Sequence, residues 1–113
     1  MECELTGFLE MECTRRMQRH HLVNKSRLRG NPEALAYCEA NAWLFLSDVC
    51  SAHNGSRIAD QTDARARLVR QKVEQYGEQK VRVRLDGLRA LLRADTMDLR
   101  LEALLAAVEE DEA

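Results

Sequence analysis

Aromatic side chains are scarce in this chain: one Trp, two Tyr and two Phe, 4% of 113 residues. A core with so few rings has to be built largely from Leu, Val and Ala, and that composition favours helices. Long apolar runs are missing as well. No stretch approaches the roughly 18 residues of a membrane span, and the opening MECELTGFLEMEC is acidic, with no apolar signal core. The expectation is a cytoplasmic protein without a membrane partner. Proline occurs once, at Pro32, and neither an internal repeat nor a low-complexity segment is evident.

A further absence is local. The stretch RMQRHHLVNKSRLRG, Arg16 to Gly30, contains no acidic residue, although the chain as a whole carries a net charge of −2. Arg15, Arg16, Arg19, Lys25, Arg27 and Arg29 form this basic block, and the balancing charge lies elsewhere, most visibly in Glu109, Glu110, Asp111 and Glu112. Overall charge therefore says little about what the block binds. A basic block is commonly a solvated face, but one wrapped around a histidine pair suits a polyanion such as DNA.

Residues 1 to 61 hold all four cysteines and all three histidines. Within them QRHHLV and FLSDVC are short enough to be paired strands, and PEALAYCEA between them reads as a short helix started by Pro32. From Gln61 the pattern turns helical, with Leu68, Val69, Val73 and Tyr76 at steps of three and four, until Gly77 offers a stop. In EQKVRVRLDGLRALLR, Val81, Val83 and Leu85 alternate like a strand, whereas Val81, Leu85, Leu88 and Leu92 fit a helix face; helix is the reading taken, with Gly87 as the place for a break. In TMDLRLEALLAAVEEDEA, Thr96 caps, Asp98 sits in the first turn, and Leu101, Leu104, Leu105 and Val108 form an apolar stripe.

In a reducing compartment Cys3, Cys13, Cys38 and Cys50 read as buried thiols or metal ligands rather than disulfides. Cys38, inside EALAYCEAN, reads as a small buried hydrophobe. The pieces HHLV and VCSAHNG together supply imidazoles, a thiol and an amide, the groups that divalent metals and proton transfers use. Neighbours on a strand point to opposite sides, so His20 and His21 suit two different roles.

CELTG (Cys3 to Gly7), RHHLV (Arg19 to Val23), RGN (Arg29 to Asn31), DVCSAHN (Asp48 to Asn54) and RIAD (Arg57 to Asp60) follow one another in order. As a set covering residues 1 to about 80 they resemble an HNH nuclease of the ββα-metal, or His-Me finger, superfamily, in a form similar to small bacteriophage HNH endonuclease proteins. The resemblance implies an α+β fold: an HNH core over residues 1–80, with a short antiparallel hairpin and zinc-braced loops, followed by a helical extension over residues 81–113. It implies an endonuclease acting on DNA by a one-metal mechanism, in the cytoplasm of the host cell if phage-encoded.

By that resemblance His20 is a metal ligand, His21 the general base and Asn54 the last ligand of a catalytic Mg²⁺ or Mn²⁺, and the products carry 5′-phosphate and 3′-hydroxyl ends. The register of the middle Asn falls on Phe45, and Asn41 is the nearest candidate upstream. The family's zinc knuckles imply a site made of Cys3, Cys13, Cys50 and His53, although Thr6 stands where a second knuckle Cys is usual. Arg16, Arg19, Lys25, Arg27, Arg29 and Arg57 would contact DNA, Arg57 being equally suited to pair with Asp60. The long helices would supply core, or a surface for a second copy or a protein partner. The rival expectation is an inactive zinc-braced DNA-binding or assembly protein of a packaging or repair complex.

Overall fold

A computed structural model describes residues 3–23, 28–55, 58–92 and 99–110. Lys25, Arg27, Arg57, Thr96 and Asp98, named above, lie outside the described residues, as do Asp111 and Glu112.

Strand β1, Met17–His21, pairs antiparallel with β2, Leu46–Cys50, in a register that sets Met17 opposite Cys50, His20 opposite Ser47 and His21 opposite Leu46. The two segments expected to pair do so. Between them run helix α1, Pro32–Ala40, and a single turn α2, Ala42–Phe45. Asn31 starts α1 by accepting the Ala34 N–H at 3.1 Å, with Pro32 in the first turn where its missing N–H costs nothing. Asn41 ends it: its backbone N–H and its side-chain Nδ2 both donate to the Tyr37 carbonyl, at 3.1 and 2.9 Å. The chain then becomes extended at Leu46 and enters β2.

A two-stranded ribbon is marginal alone, and here it is covered. Helix α3, Ser51–Gly55, follows β2 directly and packs on both strands. A 3-10 turn, Ile58–Asp60, leads into α4, Thr62–Tyr76; α5, Glu78–Leu91, and α6, Leu99–Glu110, pack against α4 and each other, and α5 also rests on α1. The fold is mixed α and β, with an antiparallel hairpin and mostly helices around it. Among the described residues no helix is long and apolar enough to cross a membrane.

Leu68, Val69 and Val73 of α4 are buried, as are Val81, Leu85 and Leu88 of α5 and Leu104, Ala107 and Val108 of α6. Each large aliphatic side chain removed from water in this way contributes about 1.5–3 kcal/mol before entropy is counted. The helical reading of residues 78–91 is decided by Val83, which is 55% exposed while Val81 and Leu85 are fully buried. A half-buried strand would have put all three on one face.

The break expected at Gly87 does not occur, since α5 runs through it. Gly87 instead makes room for a neighbour. A Cβ there would overlap the Tyr37 hydroxyl, which donates to the Arg84 carbonyl at 2.8 Å. Gly77 does end α4, at φ 94°, a conformation that suits glycine.

Candidate metal centre and histidine pair

Four side chains from two distant parts of the chain converge at the base of the hairpin. Cys3 and Cys13 come from the segment before β1; Cys50 is the last residue of β2, and His53 lies within α3, three residues on. That spacing brings Cys50 Sγ to 3.1 Å from His53 Nδ1, while Cys3 Sγ and Cys13 Sγ lie 3.7 and 3.8 Å from the same nitrogen. All four ligand atoms fall within 4.8 Å of one another.

A tetrahedral zinc with Zn–S near 2.3 Å and Zn–N near 2.0–2.1 Å has sulfur–nitrogen edges of about 3.6 Å, which the observed separations bracket. The donor set, three soft thiols and one imidazole, fits zinc.

The surroundings are arranged to match. His53 is fully buried, and its Nε2 meets the Phe8 carbonyl at 3.1 Å. With zinc bound, Nε2–H would donate there and Nδ1 would turn its lone pair to the metal among the sulfurs. The Phe8 carbonyl sits at the head of a tight turn in which Leu9 and Glu10 hold φ of 56° and 57°. Such values are strained for residues with a Cβ and persist where the surroundings impose them. Cys3 Sγ accepts the N–H groups of Cys50 at 3.2 Å and Leu5 at 3.4 Å, bonds that favour a sulfur bearing negative charge.

The two inner thiols differ. Burial dominates at Cys3 and pushes its thiol up to about 11. Burial opposes ionisation at Cys50 too, but the N–H groups of His53 and Thr14 and the side chains of His53 and Cys13 prevail, bringing it down to about 6. Cys38 is apart from this group, buried in α1, and its thiol is pushed up to about 11 by burial.

Glu4 fastens the first ligand in place. Its backbone N–H donates to the Asp48 carbonyl at 2.8 Å, and its carboxylate accepts the Asp48 N–H at 2.6 Å. The other carboxylate oxygen meets Lys72 Nζ of α4 at 2.9 Å. Segment 3–6 is thus tied both to the edge of β2 and to the helical layer.

The histidine pair closes β1. His20 is 4% exposed and its Nε2 lies 3.0 Å from Asp60 Oδ1, an oxygen that also accepts from Arg65 at 3.2 Å. Burial is the main reason the imidazole titrates below its ordinary 6.5, with Asp60 opposing and the Arg65 charge assisting. For Asp60, burial alone would raise the carboxyl; its bonds to His20 and Arg65 outweigh this and hold it below the ordinary range. His21 is half-buried and, by strand alternation, faces the opposite side.

Asn54, on α3, donates through Nδ2 to Gln18 Oε1 at 2.7 Å. Gln18 and His20 share one face of β1, so the helix carrying Asn54 reaches the His20 side of the hairpin through Gln18, two residues earlier. Asn41 is buried at the α1–α2 junction, where its carbonyl accepts from Leu44 and Phe45 at 3.0 and 3.1 Å. Arg16, Arg19 and Arg29 are exposed, Arg19 lying 3.9 Å from Asp48 Oδ1.

Three contributors escaped the sequence reading: Asp60 as the partner of His20, and the buried charges Arg65 and Lys72. A signal for the last two was present. Residues 65, 68, 69, 72 and 73 form one stripe at steps of three and four, so both charges stand on the buried face of α4 and require partners there.

Compared with protein-family models, with curated proteins and with solved structures, the chain finds no match.

Proposed function

We propose that the protein is a metal-dependent endonuclease that hydrolyses DNA phosphodiester bonds, with His21 as general base. The observation that carries this reading is an arrangement: a histidine pair closes the first strand of an antiparallel hairpin, and the second strand runs directly into a helix whose Asn54 is bonded to the His20-bearing face. The four-ligand centre below the hairpin would brace this unit with zinc, holding the helix and the N-terminal segment to β2.

In the proposed reaction His21 takes a proton from water, and the water oxygen bonds to phosphorus as the bond from phosphorus to the 3′ oxygen breaks. The departing 3′ oxygen takes a proton from solvent water, so a 5′-phosphate and a 3′-hydroxyl result. A Mg²⁺ or Mn²⁺ ion would supply Lewis acidity toward the phosphate and the leaving oxygen. Within the chain, His20 and Asn54 are the groups assigned to that ion, Asn41 fixes the loop between the strands, and Arg16, Arg19 and Arg29 draw the backbone in. Lys25, Arg27 and Arg57 would join them.

A second reading is a zinc-braced DNA-binding or assembly protein without hydrolysis. One observation favours it: His20 Nε2, the nitrogen assigned to the ion, already meets Asp60 within the protein.

Nicking of supercoiled plasmid with Mg²⁺ or Mn²⁺, measured beside DNA binding for the wild type and His21→Ala, separates the two. The nuclease reading expects loss of nicking with binding retained. Equal absence of nicking in both proteins supports the second reading.

A further inference from the structure

The pair formed by His20 and Asp60 joins two segments far apart in sequence, the end of β1 and the 3-10 turn Ile58–Asp60, and it has the geometry of a coordination edge. Two ligands at adjacent corners of an octahedron, each about 2.1 Å from the ion, lie about 3 Å apart. His20 Nε2 and Asp60 Oδ1 are 3.0 Å apart. We propose that Asp60 is a ligand of the divalent cation, its carboxylate and His20 Nε2 taking neighbouring positions around one Mg²⁺ or Mn²⁺. The assignment deepens the nuclease reading and rests on it for its purpose.

Access favours this pair. His20 is buried, but the Asp60 side chain is 39% exposed, so an ion and its water shell approach from the carboxylate side. On ion binding the bond between His20 Nε2 and Oδ1 gives way to the ion, and Oδ1, which keeps its Arg65 partner at 3.2 Å, still has a lone pair to offer it. Arg65, 2% exposed, anchors the carboxylate from behind, the kind of outer contact that orients ligating carboxylates. Its positive charge also weakens the attraction for a free cation. Occupancy should therefore rise when a phosphate of DNA adds negative charge and further oxygen donors.

A second observation is independent of that distance. Among the described residues His20 Nδ1 and Ser47 Oγ are both buried without a hydrogen-bond partner, and the two residues sit directly opposite each other in the ladder. Buried polar atoms of this kind call for an explanation. Binding an ion through Nε2 moves the imidazole proton to Nδ1; Ser47 Oγ stands across the strand pair, and turning its hydroxyl toward Nδ1 would let it accept that proton.

The test is Mn²⁺ titration of the full-length, zinc-loaded protein followed by electron paramagnetic resonance, with and without a short DNA duplex. The wild type should bind one Mn²⁺, more tightly with DNA, and Asp60→Asn should weaken binding at least tenfold while zinc content stays unchanged. Should Asp60→Asn not fold, trace Mn²⁺ added to the wild type should broaden the amide resonances of Asp60 and His20 before those of Cys3 and Cys13. Unchanged Mn²⁺ affinity in a folded Asp60→Asn, absence of Mn²⁺ binding by the wild type, or broadening centred elsewhere would overturn the assignment. Plasmid left intact by a wild type that binds Mn²⁺ through Asp60 would sink the nuclease reading and leave this one standing.

Discussion

His53 Nδ1 lies 3.1 Å from Cys50 Sγ, and its other ring nitrogen lies 3.1 Å from the Phe8 carbonyl. One imidazole thus links the end of β2, the start of α3 and the turn that precedes β1. With zinc bound, these segments would be clamped at one point.

Zinc removal is therefore expected to loosen the hairpin. Zinc present at a hundred times its dissociation constant stabilises a fold by about 2.7 kcal/mol, and for a chain of this size that corresponds to roughly 10 °C or more in thermal midpoint. Elemental analysis should find one zinc per chain, and a chelator, Cys50→Ser or His53→Ala should lower the midpoint by that order. A chelator that leaves the midpoint unmoved would argue against a bound structural metal.

Lys72 and Glu4 tie the helical layer to the segment that carries Cys3. Removing one partner of a buried ion pair strands the other, at a cost of about 3–5 kcal/mol when burial is complete. Glu4 is a quarter exposed, so Lys72→Ala should cost less, about 2 kcal/mol. The sharper expectation is a change at a distance: zinc affinity, read by competition with a chromogenic chelator, should fall in Lys72→Ala although residue 72 is not a ligand. Unaltered affinity would show that Glu4 alone holds the segment.

Replacing Gly87 with Ala sets two effects against each other. Helix propensity gains about 1 kcal/mol, but the new methyl displaces the Tyr37 ring and breaks its bond to the Arg84 carbonyl. Overpacking of this kind costs about 1–3 kcal/mol, so the variant should be less stable in urea. Made in a Tyr37→Ala background, the same substitution should cost little or nothing, because the clash is then gone. Equal costs in the two backgrounds would exclude the contact as the cause.

The sequence made some of this visible and hid the rest, for identifiable reasons. The two strands were legible as short segments on either side of the helix that Pro32 starts, and apolar periodicity marked the helix that stops at Gly77, because those patterns are local; over residues 78–91 the spacing fitted a strand as well, and the exposure of Val83 decides it. Cys50 and His53 were legible as a half-site through their spacing. Cys13 was less so: nine residues separate it from Cys3, and between them the chain turns at Leu9 and Glu10 with positive φ. The partnership of His20 with Asp60 is a forty-residue contact with no periodic signature. Gly87 misled for the opposite reason, since a glycine that admits a neighbouring ring looks the same in sequence as one that ends a helix.

On the nuclease reading, the exposed arginines should account for the salt dependence of its DNA binding. An arginine that neutralises one phosphate adds about 1 to the slope of log affinity against log salt, and its removal takes that increment away. Arg16→Ala, Arg19→Ala and Arg29→Ala are expected to weaken binding to any duplex sequence alike, which titration at several salt concentrations would read. A variant that changes sequence preference while leaving the slope intact would place that arginine on a base.

The chemistry of the cut ends tests the nuclease reading most directly. Supercoiled plasmid treated with the zinc-loaded protein and Mg²⁺ or Mn²⁺ should acquire nicks that DNA ligase seals without prior phosphorylation, as 5′-phosphate and 3′-hydroxyl termini require, and His21→Ala should leave the plasmid supercoiled. Nicks that resist ligation, nicking that persists in His21→Ala, or a wild type that makes no cut with either ion would contradict it.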